Sequence, residues 1–171
     1  MEQKVKVSSD VLFEYLTEHG VKILRLAELT GLSDATLHVC FKHMAGSNGQ
    51  PRTFTPQAVE KINEALPVIA NELRGCMLTF GSEQVRTNSR GATYDPALVE
   101  SMKNIGSVLN LTALVTRVLG WSKQKKDSIL VTKVSKVYGN ISKSDVDRVN
   151  TELLSVAGVL SSYEVVADNN I

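Results

Sequence analysis

Two stretches, VEKINEALPVIANEL at residues 59–73 and VDRVNTELLSVAGVL at residues 146–160, constrain this chain more than any other feature. They belong to a longer match in which residues 54–80 align with residues 141–167 without a gap. Val59, Asn63, Leu66, Ala70 and Leu73 meet the same residue types at Val146, Asn150, Leu153, Ala157 and Leu160. That spacing, i, i+4, i+7, i+11, i+14, lies on one face of a helix. Ile62 and Ile69 become Val149 and Val156, which widens the apolar face. Upstream, Leu12, Glu14 and Gly20 match Leu98, Glu100 and Gly106, and TGLS at residues 30–33 becomes LGWS at residues 119–122. An amphipathic helix has to bury its apolar face. Two of them, each preceded by similar shorter segments, predict two tandem copies of one helical unit.

The first copy reads as four helices and a strand. SSDVLFEYLTEHG opens on Ser and Asp caps and closes at Gly20. ILRLAELTG ends at Gly31, and SDATLHVCFKHMAG runs from Ser33 as N-cap to Gly46. TPQAVEKINEALPVIANELRG has Thr55 as cap and Pro56 in the first turn, where proline is favoured; Pro67 inside it predicts a kink. CMLTF, residues 76–80, reads as a short strand. The second copy repeats the order with DPALVESMKNIG, NLTALVTRVLG, SKQKKDSILVTKVSKVYG, SKSDVDRVNTELLSVAGVL capped by Ser142, and the strand SYEVV.

The expected fold is therefore mainly α: a tandem repeat of two four-helix helix-turn-helix units, each followed by a short β-strand. The boundaries are 1–80 for the first unit, 81–94 for a linker or hairpin, and 95–171 for the second. The two trailing strands are expected to pair with each other; the alternative is a small wing in each copy.

Only 5% of residues are aromatic, so the core is expected to be aliphatic. No apolar run approaches the roughly 20 residues of a membrane span, and MEQKVKVSSD lacks an apolar signal segment, which predicts a cytoplasmic protein. Cys40 and Cys76 lack partners at metal-ligand spacing and read as buried free thiols. Phosphate-binding loops, nucleophile motifs and metal clusters are missing from the sequence, and His19, His38 and His43 stand at no suggestive spacing from carboxylates. The chain is thus expected not to be an enzyme, and to need no cofactor, metal or small-molecule ligand. Net charge is +1, so any nucleic-acid affinity has to come from local patches.

Residues 9–73 resemble the helix-turn-helix of the repressor superfamily, the phage-repressor-like and LacI-like regulators. Ala27 stands where that motif has a small residue, Gly31 takes its turn, and Leu26, Leu32, Leu37 and Cys40 fill its apolar positions. GLSDATLHVCFKH is similar to the LacI-like pattern, in which Ser-x-x-Thr begins the recognition helix. A degenerate form covers residues 95–160, with Thr116 in place of the alanine and Trp121 after the turn. The resemblance implies double-stranded-DNA binding and transcriptional regulation, and a phage or mobile-element source would suit it. A helix-turn-helix projects its second helix far enough to enter a major groove.

In copy one the residues offered there are Ser33, Asp34, Thr36, His38 and Lys42. Ser33 and Thr36 suit phosphate, His38 and Lys42 a base edge and a phosphate, and Asp34 a cytosine amino group, although Asp34 repels phosphate. Copy two carries the charge: Lys123, Lys125, Lys126, Lys133, Lys136 and Lys143 against Asp127 alone, a local footprint for a phosphate backbone. Arg86 and Arg90 add two cations between the copies. Two unequal readers in one chain predict a non-palindromic DNA site, with self-association as a homodimer compatible with this. The alternative is a protein-interaction or structural module that reuses the fold; Asp34, the low net charge and the degenerate second motif favour it.

Overall fold

The computed structural model describes residues 3–79, 86–87, 93–94, 96–120 and 143–167. Among these the fold is mainly helical: α1 (Ser9–Glu18), α2 (Ile23–Thr30), α3 (Asp34–Phe41), α4 (Pro56–Arg74), α5 (Pro96–Val108), α6 (Leu111–Arg117) and α7 (Lys143–Ser162). Four short strands accompany them: β1 (Val5–Val7), β2 (Arg86–Thr87), β3 (Thr93–Tyr94) and β4 (Tyr163–Val165). None of the described helices is long and apolar enough to cross a membrane.

Side-chain caps set four of the seven described helix starts. The Ser8 hydroxyl accepts from the Val11 amide at the start of α1, and the Ser33 hydroxyl accepts from the Thr36 amide at the start of α3. Asn110 caps α6 through Ala113 in the same way. Each cap satisfies an amide that the helix itself leaves without a partner. Thr55 accepts from the Ala58 amide at the start of α4. Pro67 lies inside α4, which continues through it as one element. α3 ends at Phe41, short of the expected Gly46, because Lys42 terminates the helix and His43 turns to φ 51°.

The chain divides into two compact units: one runs to Asn71 and adds the residues from Ala157 onward, the other is Glu72–Val156. In the first unit, Leu12, Leu16, Leu26, Leu37, Ile62 and Leu66 are fully buried. Phe41 stacks on Phe13 and meets Phe54 edge-on, both at 4.9 Å between ring centres. In the second unit, Met102, Ile105, Leu109, Val115, Val149 and Leu153 form the buried core.

The strands correct two expectations. β4 is found where SYEVV predicted it, but it pairs in parallel with β1, Val5 opposite Tyr163 and Val7 opposite Val165. It does not pair with residues 76–79. Residues 76–79 form no strand. The Leu78 backbone is held by a side chain instead: its amide donates to Asn150 Oδ1 at 2.7 Å, and Asn150 Nδ2 donates to its carbonyl at 2.9 Å. Asn63 makes the matching pair of bonds to Val165, 2.7 and 2.9 Å. A carboxamide carries one acceptor and one donor group side by side, as a neighbouring peptide does, so either asparagine can stand in for an adjacent strand. Within 81–94, β2 and β3 pair antiparallel, Arg86 opposite Tyr94.

Candidate nucleic-acid interface

Helices α2 and α3 of the first unit pack against each other across a tight turn, and the reasons are local. Ala27, 8% exposed, keeps the side of α2 thin. Gly31 ends α2 at φ 75°, a left-handed conformation that an L side chain rarely adopts. Thr30 is buried; its hydroxyl donates to the Leu26 carbonyl at 2.8 Å and accepts from the Leu32 amide, which closes the turn. Leu37, Cys40 and Phe41 then bury one side of α3.

The other side of α3 carries the expected readers, and they are unequally available. Ser33, Asp34, Ala35 and Lys42 are exposed, whereas Thr36, His38 and Val39 are half-buried. Ser33 Oγ lies 2.8 Å from the Thr36 hydroxyl, so these two groups engage each other. His38 Nε2 stands 3.4 Å from Asp34 Oδ1, and the His38 ring meets Phe13 edge-on at 6.4 Å. Among the described residues, His38 Nδ1 is buried without a hydrogen-bond partner. His43 Nε2 approaches Asp10 Oδ1 at 2.7 Å, with Nδ1 3.3 Å from the Arg52 carbonyl. The expectation that the histidines stand apart from carboxylates is therefore corrected for His38 and His43. The i, i+4 spacing of Asp34 and His38 was visible in the sequence; the Asp10–His43 approach joins distant segments and was not.

Charge is divided within this unit. Helices α1 and α2 expose Asp10, Glu14, Glu18 and Glu28. From Ala35 to Val59 the chain holds no acidic residue, while it includes Lys42 and Arg52. Among the described residues neither Lys42 nor Arg52 pairs with a carboxylate.

This acid-free stretch contains a hairpin. Ala45 bridges Pro51 antiparallel, and the Arg52 amide donates to the Met44 carbonyl at 2.9 Å. The Gly46 amide donates to the Gln50 carbonyl at 2.8 Å, and the Gly49 amide returns to Gly46 at 2.9 Å. Asn48 Oδ1 accepts from the Gln50 amide at 3.0 Å. The readable signal was GSNGQP, a dense run of turn-forming residues, inside a stretch without carboxylates.

In the second unit, Gly120 takes φ 68°, close to the 75° of Gly31. Thr116 is exposed and bonds the Thr112 carbonyl, so it does not reproduce the buried Ala27. Gly106, matched to Gly20 in sequence, lies within α5, and a Cβ there would stand 3.0 Å from Leu111 Cδ1. Arg117 pairs with Glu152 at 3.0 Å. Lys123, Lys125, Lys126, Lys133, Lys136 and Arg90 lie outside the described residues; of Arg86 only the backbone, in β2, is described. Lys143 is exposed at the start of α7, 3.4 Å from Asp147.

No family model, no curated protein and no solved structure matches the chain.

Proposed function

We propose that this chain is a cytoplasmic double-stranded-DNA-binding protein, a transcriptional regulator or accessory factor rather than an enzyme. In this reading two unequal helix-turn-helix units, related as tandem copies, contact a non-palindromic site. The observation that carries it is the α2–Gly31–α3 arrangement, with Ala27 buried on α2 and the start of α3 capped by an exposed Ser33. The left-handed glycine shared by Gly31 and Gly120 and the matched bonds of Asn63 and Asn150 support two related units. The lysines from Lys123 to Lys136 supply phosphate affinity, and α3 supplies a modest sequence preference.

Fluorescence anisotropy with a random-sequence duplex, at about 50 and about 200 mM salt, tests this reading. Binding at the lower salt that weakens steeply at the higher is expected. Absence of binding at the lower salt overturns it. Changing Lys125, Lys126 and Lys133 together to alanine is expected to lower the salt slope by about 2 to 3, roughly one for each lysine withdrawn from a phosphate.

A protein-interaction role is the second reading. It is favoured by the carboxylates that α1 and α2 expose and by the Asp34–His38 contact on α3 itself. A protein that fails to bind duplex but retains its cooperative fold would favour it.

A further inference from the structure

We propose that the hairpin Ala45–Arg52 is a second duplex-DNA contact, in which Arg52 holds a backbone phosphate and Gln50 and Asn48 supply hydrogen bonds beside it. This rests on the DNA-binding reading and deepens it: the expected readers of the first unit lay on α3 and its caps alone.

Position is the first argument. α3 spans eight residues, about 12 Å at 1.5 Å per residue, close to the roughly 12 Å width of the major groove. A rigid element rooted at the C-terminal end of such a helix meets the groove's rim, where the phosphates run. The hairpin is rooted there. The Met44 amide donates to the Val39 carbonyl of α3, and Cys40 Sγ approaches the Thr53 carbonyl at 3.6 Å. His43 ties the same root to α1 through Asp10 and to the returning strand through the Arg52 carbonyl.

Rigidity is the second argument. A loop that is ordered before binding loses less entropy on contact. Four backbone or side-chain bonds close this one within a few residues, and Gly49 takes φ 77° at its tip, with nothing near its Cβ position. Arg52 is held as well: a Cβ on Gly46 would meet Arg52 Cγ at 3.3 Å, so the arginine stem lies along the hairpin.

Chemistry is the third. Ser47, Asn48, Gln50, Pro51 and Arg52 are all exposed, and apart from proline all carry hydrogen-bonding side chains. The hairpin belongs to the acid-free stretch from Ala35 to Val59, and the Asp10 carboxylate at its root is engaged by His43. Arginine and amide side chains account for much of protein–DNA hydrogen bonding, to phosphates and to base edges.

The test is anisotropy of the full chain on the duplex that wild type binds, with Arg52→Ala, Gln50→Ala and the control Lys61→Ala, an exposed lysine on α4. Circular dichroism shows whether each variant keeps its fold. Arg52→Ala is expected to weaken binding roughly fivefold and to lower the salt slope by about 1. Gln50→Ala is expected to weaken binding with the slope unchanged, and Lys61→Ala to leave both unchanged. Bound duplex is expected to slow amide exchange within residues 45–52. If Arg52→Ala and Gln50→Ala bind as wild type does, the hairpin contact is overturned while the DNA reading stands. If Lys61→Ala weakens binding as much as Arg52→Ala, the effect is bulk charge and the contact is likewise overturned. If wild type itself does not bind at low salt, the DNA reading falls and the contact with it.

Discussion

Asn63 and Asn150 each hold a backbone segment through both groups of a side-chain amide, yet the two segments differ in what else supports them. At Asn63 the segment is β4, which β1 also pairs along its other edge. At Asn150 the segment is the irregular run around Leu78, and no described strand lies beside it. The sequence of CMLTF has the residues of a strand, but a strand needs a neighbour to accept its hydrogen bonds. Where one carboxamide supplies that neighbour, a single residue is held and no ladder extends from it. The pair thus separates two roles of a half-buried asparagine: reinforcing a strand, and replacing one.

The comparison can be broken or sharpened by substitution. The largest effect is expected for Leu66→Ala and Leu153→Ala, matched and fully buried residues of α4 and α7. Each should cost about 2–5 kcal/mol in urea unfolding; if one falls below that range, the two helices are not equivalent supports. Asn150→Ala comes next, at about 1–3 kcal/mol, because it strands the amide and carbonyl of Leu78, itself 5% exposed. Hydrogen exchange should show greater loss of protection at the Leu78 amide in Asn150→Ala than at the Val165 amide in Asn63→Ala. Equal losses would mean that β1 contributes nothing to holding β4. Asp10→Asn should cost under about 1 kcal/mol, since the carboxylate is largely exposed; a larger loss would give His43 a structural weight beyond one surface contact.

The smallest effect concerns Cys76, whose thiol burial and the nearby Glu72 carboxylate push above its ordinary pKa of 9.0. The folded chain then keeps its proton where the unfolded chain releases it. Stability from this group is fully present below about pH 9 and falls as pH rises toward the folded value. Urea midpoints of wild type and Cys76→Ala should therefore diverge less with pH below 9 than above it. A wild-type midpoint that falls no faster than that of Cys76→Ala above pH 9 would contradict the shift.

Much of the helical fold was legible in local chemistry. Ser8, Ser33, Thr55 and Asn110 occupy cap positions, and three of them, with the spacing of α4 and α7, could be read directly from residue order. Pairing was less legible. The repeat suggested that its two trailing segments meet each other, but the partner of β4 is VKV at residues 5–7, too short to show alternation. At the candidate site, Ala27, Gly31 and Ser33 were readable because each answers a local constraint. The half-burial of His38 was not, because Phe13, whose ring it meets edge-on, comes from another helix. The hairpin is hard to read because glycine and asparagine mark irregular chain as readily as a defined turn; here they close one.

The parallel pairing of β1 with β4 also sets an order of events during synthesis. Ribosomes add about 5–20 residues each second, so β1 waits several seconds or more before its partner exists. Until then Asn63 has no Val165 backbone to hold, and the first unit lacks the end of α7 that belongs to it. A chain halted early leaves that unit unfinished, with an unpaired strand edge on display, a form open to proteases and prone to aggregation. The unit can therefore be completed only after translation has passed β4.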